Sequence, residues 1–190
     1  MRIGIDIDDV ITDTETIAME YVNKHEHEFC DNHEISTNLA FMFRGIIKND
    51  AMKKFAEKYY RKIWQEVKLE ENVKVVIDNL RAKGHQIVLI TARRTDVIPE
   101  IEADTIEYLH KHNLQYDKMI FGTHNKKQSC LDENIDIFID DSVDTCNDIL
   151  KDTNITVYLF DSKTNSDLQC DAKRVYNWFE LEEIINNYNI

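Results

Sequence analysis

The chain has 190 residues, 43% of them hydrophobic, with one proline and four glycines; this supports one folded domain with a modest insertion and excludes a low-complexity or disordered chain. With 36 acidic against 23 basic side chains the formal net charge is −13, which opposes binding to a nucleic-acid polymer, because that affinity rests on neutralising phosphates with Lys and Arg. No apolar stretch is long enough to span a membrane, acidic residues arrive by position 6, and the four cysteines (Cys30, Cys130, Cys146 and Cys170) form no C-x-x-C pair, so a cytoplasmic protein with reduced thiols is expected. A small anionic ligand stays compatible with this charge if local cations outweigh the far field. The oligomeric state is left open, a homo-oligomer included.

In chain order, the first element is an apolar run from Arg2 to Ile7 that ends in Asp6-Ile7-Asp8-Asp9-Val10. Alternate residues of a strand share a face, so Asp6 and Asp8 begin on one side where the strand runs out. Two carboxylates so close repel each other, and burying them needs a cation, a proton or several donors. Such a pair suits a site for Mg²⁺ and phosphate.

From Asp9 to Gln86 the chain is far longer than the roughly 30 residues of a simple βαβ unit. A helix is expected over about 14–23, and Met52, Phe55, Ala56, Tyr59, Ile63 and Val67 form a second helical stripe. Residues 14–70 therefore read as a helical insertion, a lid over the carboxyl ends of the strands, with 1–13 and 71–190 as the core. His25, His27, Cys30 and His33 lie in this lid at a spacing that matches no usual zinc pattern. Phe41, Phe43, Arg44, Tyr59, Tyr60 and Trp64 read mostly as the lid's own core, with Phe41 or Phe43 the candidate to touch a leaving group.

Val73, Val76, Ile77 and Leu80 predict an amphipathic helix stopped by Gly84, and Gln86 to Ile90 a buried strand that ends in Thr91-Ala92-Arg93-Arg94. A helix marked by Ile101, Thr105, Tyr108 and Leu109 follows, then a short strand from Lys118 to Phe121 and a helix opened by Lys126. A strand from Ile135 to Ile139 ends in Asp140-Asp141; another spans Ile155 to Phe160, and a helix from Trp178 to Ile185 closes the chain. Alternation of this kind implies an α/β fold, five parallel strands with helices on both faces. Their carboxyl ends bring Asp6, Asp8, Thr91, Lys126, Asp140 and Asp141 to one edge. Carboxylates there suit Mg²⁺, while a hydroxyl and an ammonium suit phosphate oxygens.

These motifs, taken together and in this order, resemble the haloacid dehalogenase-like (HAD) phosphohydrolases, with an N-terminal D-x-D-x-[T/V], a strand ending in Thr or Ser, a lysine and a terminal acidic pair. Ile90-Thr91-Ala92-Arg93, His124-Asn125-Lys126 and Asn177-Trp178 make the chain look most similar to the 5′-nucleotidase and deoxyribonucleotidase-like subgroup. The resemblance implies a Rossmann-like HAD core with a small helical cap after the first strand, acting as a Mg²⁺-dependent phosphomonoester hydrolase on a small phosphorylated substrate. It implies Asp6 as nucleophile and Asp8 as general acid and base. The metal would be held by Asp6, the Asp8 carbonyl and Asp141, with Asp140 close by, and phosphate by Thr91, Lys126, Ala92 and Arg93. Arg93 and Arg94 read equally well as a surface ion pair. Two positions depart from the pattern: Asp9 stands where glycine is common, and Thr145 stands where many members carry aspartate, with Asp144 one residue early. Lys127 competes with Lys126, which is preferred for its place after His124-Asn125. The expected leaving group is a nucleoside, with a sugar or other metabolite as the nearest rival. A receiver-like phospho-acceptor is disfavoured because its acceptor aspartate belongs on the middle strand, and a silent scaffold because the motifs are intact.

Overall fold

The computed structural model describes residues 1–43, 46–96, 98–123 and 125–188, the side chains of Ala40 and Phe43 excepted. Arg44, His124 and Phe43, which enter the sequence reading, thus lie wholly or in their side chains outside the described residues. Six parallel strands form one sheet: β1 (Arg2–Ile5), β2 (Gln86–Ile90), β3 (Lys118–Ile120), β4 (Ile137–Asp140), β5 (Thr156–Phe160) and β6 (Lys173–Val175). Their order is β3-β2-β1-β4-β5-β6. The helices are α1 (Thr14–His25), α2 (Leu39–Phe43), α3 (Asp50–Glu66), α4 (Val73–Ala82), α5 (Ile101–Lys111), α6 (Lys126–Asp132), α7 (Val143–Lys151) and α8 (Trp178–Asn186). The sheet therefore has one strand more than the five expected. β6 is three residues long and pairs only with β5, too short to give an apolar pattern of its own.

The two-residue period of the strands sorts their side chains into two cores. Ile3, Ile5, Ile87, Leu89, Ile137 and Ile139 join the cluster that also contains α1, α3, α4 and α8 side chains. Val88, Ile90, Phe138, Val157 and Leu159 pack on the other face with Cys130 of α6 and Cys146 and Ile149 of α7. Gly4 belongs to this second face, where a Cβ would stand 2.7 Å from Phe138 Cδ2, so the ring of β4 fills the space that a β1 side chain would take.

Register fixes the site. Ile5 pairs with Leu89 on one side and Ile139 on the other, so Asp6, the end of β2 and Asp140 emerge level with one another. β1 lies in the middle of the sheet with its crossovers leaving in both directions, the switch point at which open α/β sheets bind ligands.

The insertion packs as part of the first core: Ile17, Val22, Phe55 and Ile63 share one cluster with Ile3 and Ile87. Its aromatic side chains pack on one another, His25 stacked on Tyr59 at 4.4 Å and Phe29 edge-on to Phe55 at 5.8 Å. Tyr59, Tyr60 and Trp64 are all buried. Phe41 is partly buried and carries the Lys48 ammonium 4.3 Å from its ring centre. His25 contacts Glu28, while His33 and Cys30 both contact Glu26, so these three side chains serve the packing of the insertion; His27 is exposed.

Glu26 is the polar centre of that packing. Its carboxylate accepts from Ile35 N at 2.7 Å, Ser36 N at 2.9 Å and Ser36 Oγ at 3.0 Å, closing the loop between α1 and α2. Burial pushes the carboxyl up, but these donors and His33 override it and hold it below the usual range. Glu26→Ala is expected to destabilise the protein by about 3 kcal/mol, because it removes the acceptor of the buried Ile35 N–H and of the half-buried Ser36 N–H. Denaturant unfolding measures this; a loss below about 0.5 kcal/mol, the scale of an exposed substitution, would show that the loop reorganises freely.

Candidate active site

The chain leaves β1 through a tight loop in which the amides of Ile11 and Thr12 donate to Ile7 O. Asp9 takes the left-handed conformation at φ 57°, which costs a non-glycine residue about 1 kcal/mol. The carboxylate supplies what a glycine could not. Asp9 Oδ1 accepts from Glu15 N at 2.9 Å in the first turn of α1, whose own N-cap residue, Asp13, makes no side-chain cap bond. Trp178 Nε1 donates to Val10 O at 3.0 Å and pins the far side of the loop, while Asn177 caps α8 by accepting from Glu180 N at 2.9 Å.

Asp6 is 6% exposed, and Lys126 Nζ lies 2.8 Å from its Oδ2. The same ammonium donates to Asp140 Oδ2 at 2.6 Å, while Asp140 Oδ1 accepts from Ser142 N at 2.8 Å. Lys126 starts α6, which Asn125 caps by accepting from Gln128 N at 3.0 Å. Lys127 points elsewhere, to Asp152 at 3.1 Å. Burial alone would drive Lys126 down; Asp140 and Asp6 reverse that and hold it well above the usual lysine range. Burial pushes Asp6 up to about 7, opposed by Lys126 and reinforced by Asp140 and Asp8.

Oxygens of Asp6, Asp140 and Asp141 lie within 4.8 Å of one another, the one group of three such ligands among the described residues. Burial, together with Asp140, Asp9 and Asp6, pushes Asp141 well above the usual carboxylate range, and burial does the same to Asp9. A cluster of hard oxygens that resists ionising without a cation fits Mg²⁺. Around it lies a cavity of about 340 Å³, lined by Asp6, Asp8, Thr91, Ala92, Lys126, Asp140 and Asp141, and also by Asp9, Thr123, Asp144 and Thr145. Thr91 is buried, and its Oγ1 accepts from Arg93 N at 3.3 Å.

Arg93 does not line this cavity. It is no surface ion pair either: its guanidinium is buried against Asp8, whereas Arg94 pairs with Asp96 at the surface. Two further residues serve the site without any sequence signal. Thr14 Oγ1 donates to Asp8 Oδ1 at 2.8 Å. Asn165, buried after β5, donates from Nδ2 to Asp141 O at 2.7 Å and to Phe160 O at 2.8 Å, and Arg174 Nη1 holds its Oδ1 at 2.5 Å. Its partners are distant in sequence, so no local spacing marks it.

The family described as 5′ nucleotidase, deoxy (pyrimidine), cytosolic type C protein (NT5C) matches residues 1–189. The chain belongs to the NT5C nucleotidase family. YqfW of Bacillus subtilis, which carries a nucleotidase designation, is 30% identical over 98% of this chain and 94% of its own length. A nucleotidase of Clostridium acetobutylicum is 35% identical over 70% of this chain and 67% of its own. Among solved structures, β-phosphoglucomutase of Clostridium difficile shares the fold with a TM-score of 0.64 at 17% identity, over 97% of this chain and 95% of that one. A HAD-superfamily hydrolase of Geobacter sulfurreducens does so with a TM-score of 0.62 at 14% identity, over 97% and 95%. The expected Rossmann-like HAD fold and nucleotidase subgroup are thus both borne out, and this NT5C member is a phosphohydrolase.

The protonation of the cluster gives this enzyme a testable pH dependence. In the metal-free folded chain Asp6, Asp9 and Asp141 keep protons that the unfolded chain releases near 3.8, the ordinary aspartate value. Folded protein thus binds more protons than unfolded, and stability falls as pH rises, for Asp6 up to about 7. Between about pH 5 and 7 the thermal midpoint of chelator-treated protein is expected to fall, and Mg²⁺ to reduce the fall. A metal-free midpoint that rose over this window would show that these carboxylates ionise freely.

Proposed function

We propose that this NT5C-family enzyme hydrolyses nucleoside 5′-monophosphates, deoxynucleotides among them, through an aspartyl-phosphate on Asp6 and with Mg²⁺. The observation that carries the reading is the Asp6 carboxylate held against Lys126 in a cavity that Asp8, Thr91 and Asp141 also line. The family's description supports the choice of a deoxynucleotide.

Asp6 attacks phosphorus in line, forming a P–O bond as the bond to the leaving oxygen breaks. Asp8 delivers a proton to that oxygen; in the second step it takes one from the water that attacks the acyl phosphate, regenerating Asp6 and releasing inorganic phosphate. Lys126 and the Thr91 hydroxyl hold phosphoryl oxygens, with the Ala92 amide beside them, and Lys126 favours the ionised form of Asp6. Asp6, Asp141 and the Asp8 carbonyl would hold Mg²⁺, with Asp140 orienting Lys126 beside them. When bound, the metal offsets the repulsion between this acidic cavity and a phosphate dianion.

Phosphate release from ribo- and deoxynucleoside monophosphates, sugar phosphates and an aryl phosphate, with and without Mg²⁺, tests the reading. Magnesium-dependent turnover led by nucleotides is expected. A ranking led by sugar phosphates would overturn the substrate choice, and turnover unaffected by chelation would overturn the metal.

A further inference from the structure

We infer that Arg93 is a positioning residue for Asp8, held in its turn by Trp64 of the helical insertion. The guanidinium is 2% exposed, and a cation so deep is tolerated only where a carboxylate meets it. Asp8 is that carboxylate. Arg93 Nε donates to Oδ2 at 3.0 Å and Nη2 donates to Oδ1, a two-point grip that fixes the carboxylate plane as well as its position. Nη1 donates to Thr105 Oγ1 at 2.8 Å, and that hydroxyl donates to Ile101 O at 2.6 Å, anchoring the guanidinium to α5. On its other face the Trp64 ring centre lies 3.6 Å from the guanidinium carbon, and Trp64 Nε1 donates to Asp104 O at 3.0 Å. α3, α5 and the segment after β2 therefore converge on one cation whose ionic partner is Asp8.

This arrangement selects an atom. Among the described residues, Oδ1 of Asp8 receives both Arg93 Nη2 and Thr14 Oγ1, whereas Oδ2 receives Arg93 Nε alone. The open lone pair is on Oδ2, which makes it the oxygen that exchanges a proton with the leaving group. The inference rests on the proposed proton-donor role of Asp8; it adds that the role depends on Arg93 and, through stacking, on the insertion.

The test compares kcat/KM for a deoxynucleoside 5′-monophosphate with that for 2,4-dinitrophenyl phosphate, whose leaving group departs without a proton. Arg93→Met removes the cation, and Arg93→Lys keeps the charge without the two-point grip. Both are expected to lose on the order of 10²-fold on the nucleotide and under about 5-fold on the dinitrophenyl ester, in line with the worth of a proton donor. Inhibition by inorganic phosphate should stay within about 2-fold, since no phosphate contact is removed. Millimolar guanidinium should restore part of the nucleotide activity of Arg93→Ala. Trp64→Leu should show the same split at smaller size. Asp8→Asn, run alongside, must itself show the split. If it does and the Arg93 variants lose equally on both esters, Arg93 acts on the phosphoryl group or on the fold, and the inference fails. If Asp8→Asn loses equally on both, the proton-donor role of Asp8 has failed and takes the inference with it. Should Arg93→Met not fold, Arg93→Lys and Trp64→Leu carry the same comparison.

Discussion

Asp6→Asn is expected to lower magnesium-dependent phosphate release by at least about 10⁴-fold, the scale on which removing a covalent nucleophile acts. An amide oxygen cannot displace the leaving group, and no neighbour stands in for it. Asp140 is committed to Lys126 and Ser142 N, and Asp8 to Arg93 and Thr14. The fold should survive. Asp6 is pushed up to about 7 by burial, so replacing it by a neutral isostere removes a group that the folded state already resists ionising. Lys126 keeps Asp140 as counter-ion. Circular dichroism and a thermal midpoint within a few degrees of wild type, about what 1 kcal/mol produces, would verify that the lost turnover is chemical. Residual turnover above about 1% of wild type would instead move the nucleophile elsewhere.

Lys126→Met should be costly to both fold and activity. The ammonium sits 2.8 Å from Asp6 and 2.6 Å from Asp140, and it is buried with both. Removing one member of a buried ion network leaves the rest uncompensated, so the metal-free variant should lose about 3–5 kcal/mol of stability in denaturant. Loss of the cation that the proposed mechanism sets on the phosphoryl oxygens should cut turnover by on the order of 10²–10³-fold. Mg²⁺ should recover part of the stability and little of the activity. Lys126→Arg is expected to rescue poorly, because a planar fork does not reproduce a compact ammonium between two carboxylates. An unchanged unfolding curve would mean that the Lys126 ammonium contributes nothing to the stability of the metal-free protein.

Much of this site was legible because it lies at strand ends. Ile3 and Ile5, Ile87 to Ile90, and Ile137 to Ile139 announce buried parallel strands by composition alone, and a parallel sheet places their carboxyl ends together. Asp6, Thr91 and Asp140 follow from that, and Lys126 from its place at the start of a helix. What escaped is held by partners remote in sequence. The orientation of Arg93 depends on Asp8, 85 positions away, and on Trp64 of another helix. Asn165 reaches Asp141 across 24 positions from an irregular segment with no period to read. Asp9 looked like a defect where glycine was expected; the price of its backbone is offset by a cap that only its side chain provides.

The position of β1 also governs how the enzyme comes into being. It precedes every other strand in the chain, yet it lies between β2 and β4, pairing Ile3 with Ile87 and with Ile137. During synthesis Asp6 therefore emerges long before Lys126, Asp140 or the Trp178 side chain that pins Val10, which lies 168 residues further on. Contacts of such high sequence separation form late and slowly. A chain cut short before α6 carries Asp6 without Lys126, Asp140 or Asp141, and so without the cation and the two carboxylates that cluster with it in the folded site. Until β2 emerges β1 is an apolar strand with both edges open, and until β4 emerges one edge stays open, which exposes this segment of the nascent chain to wrong pairing.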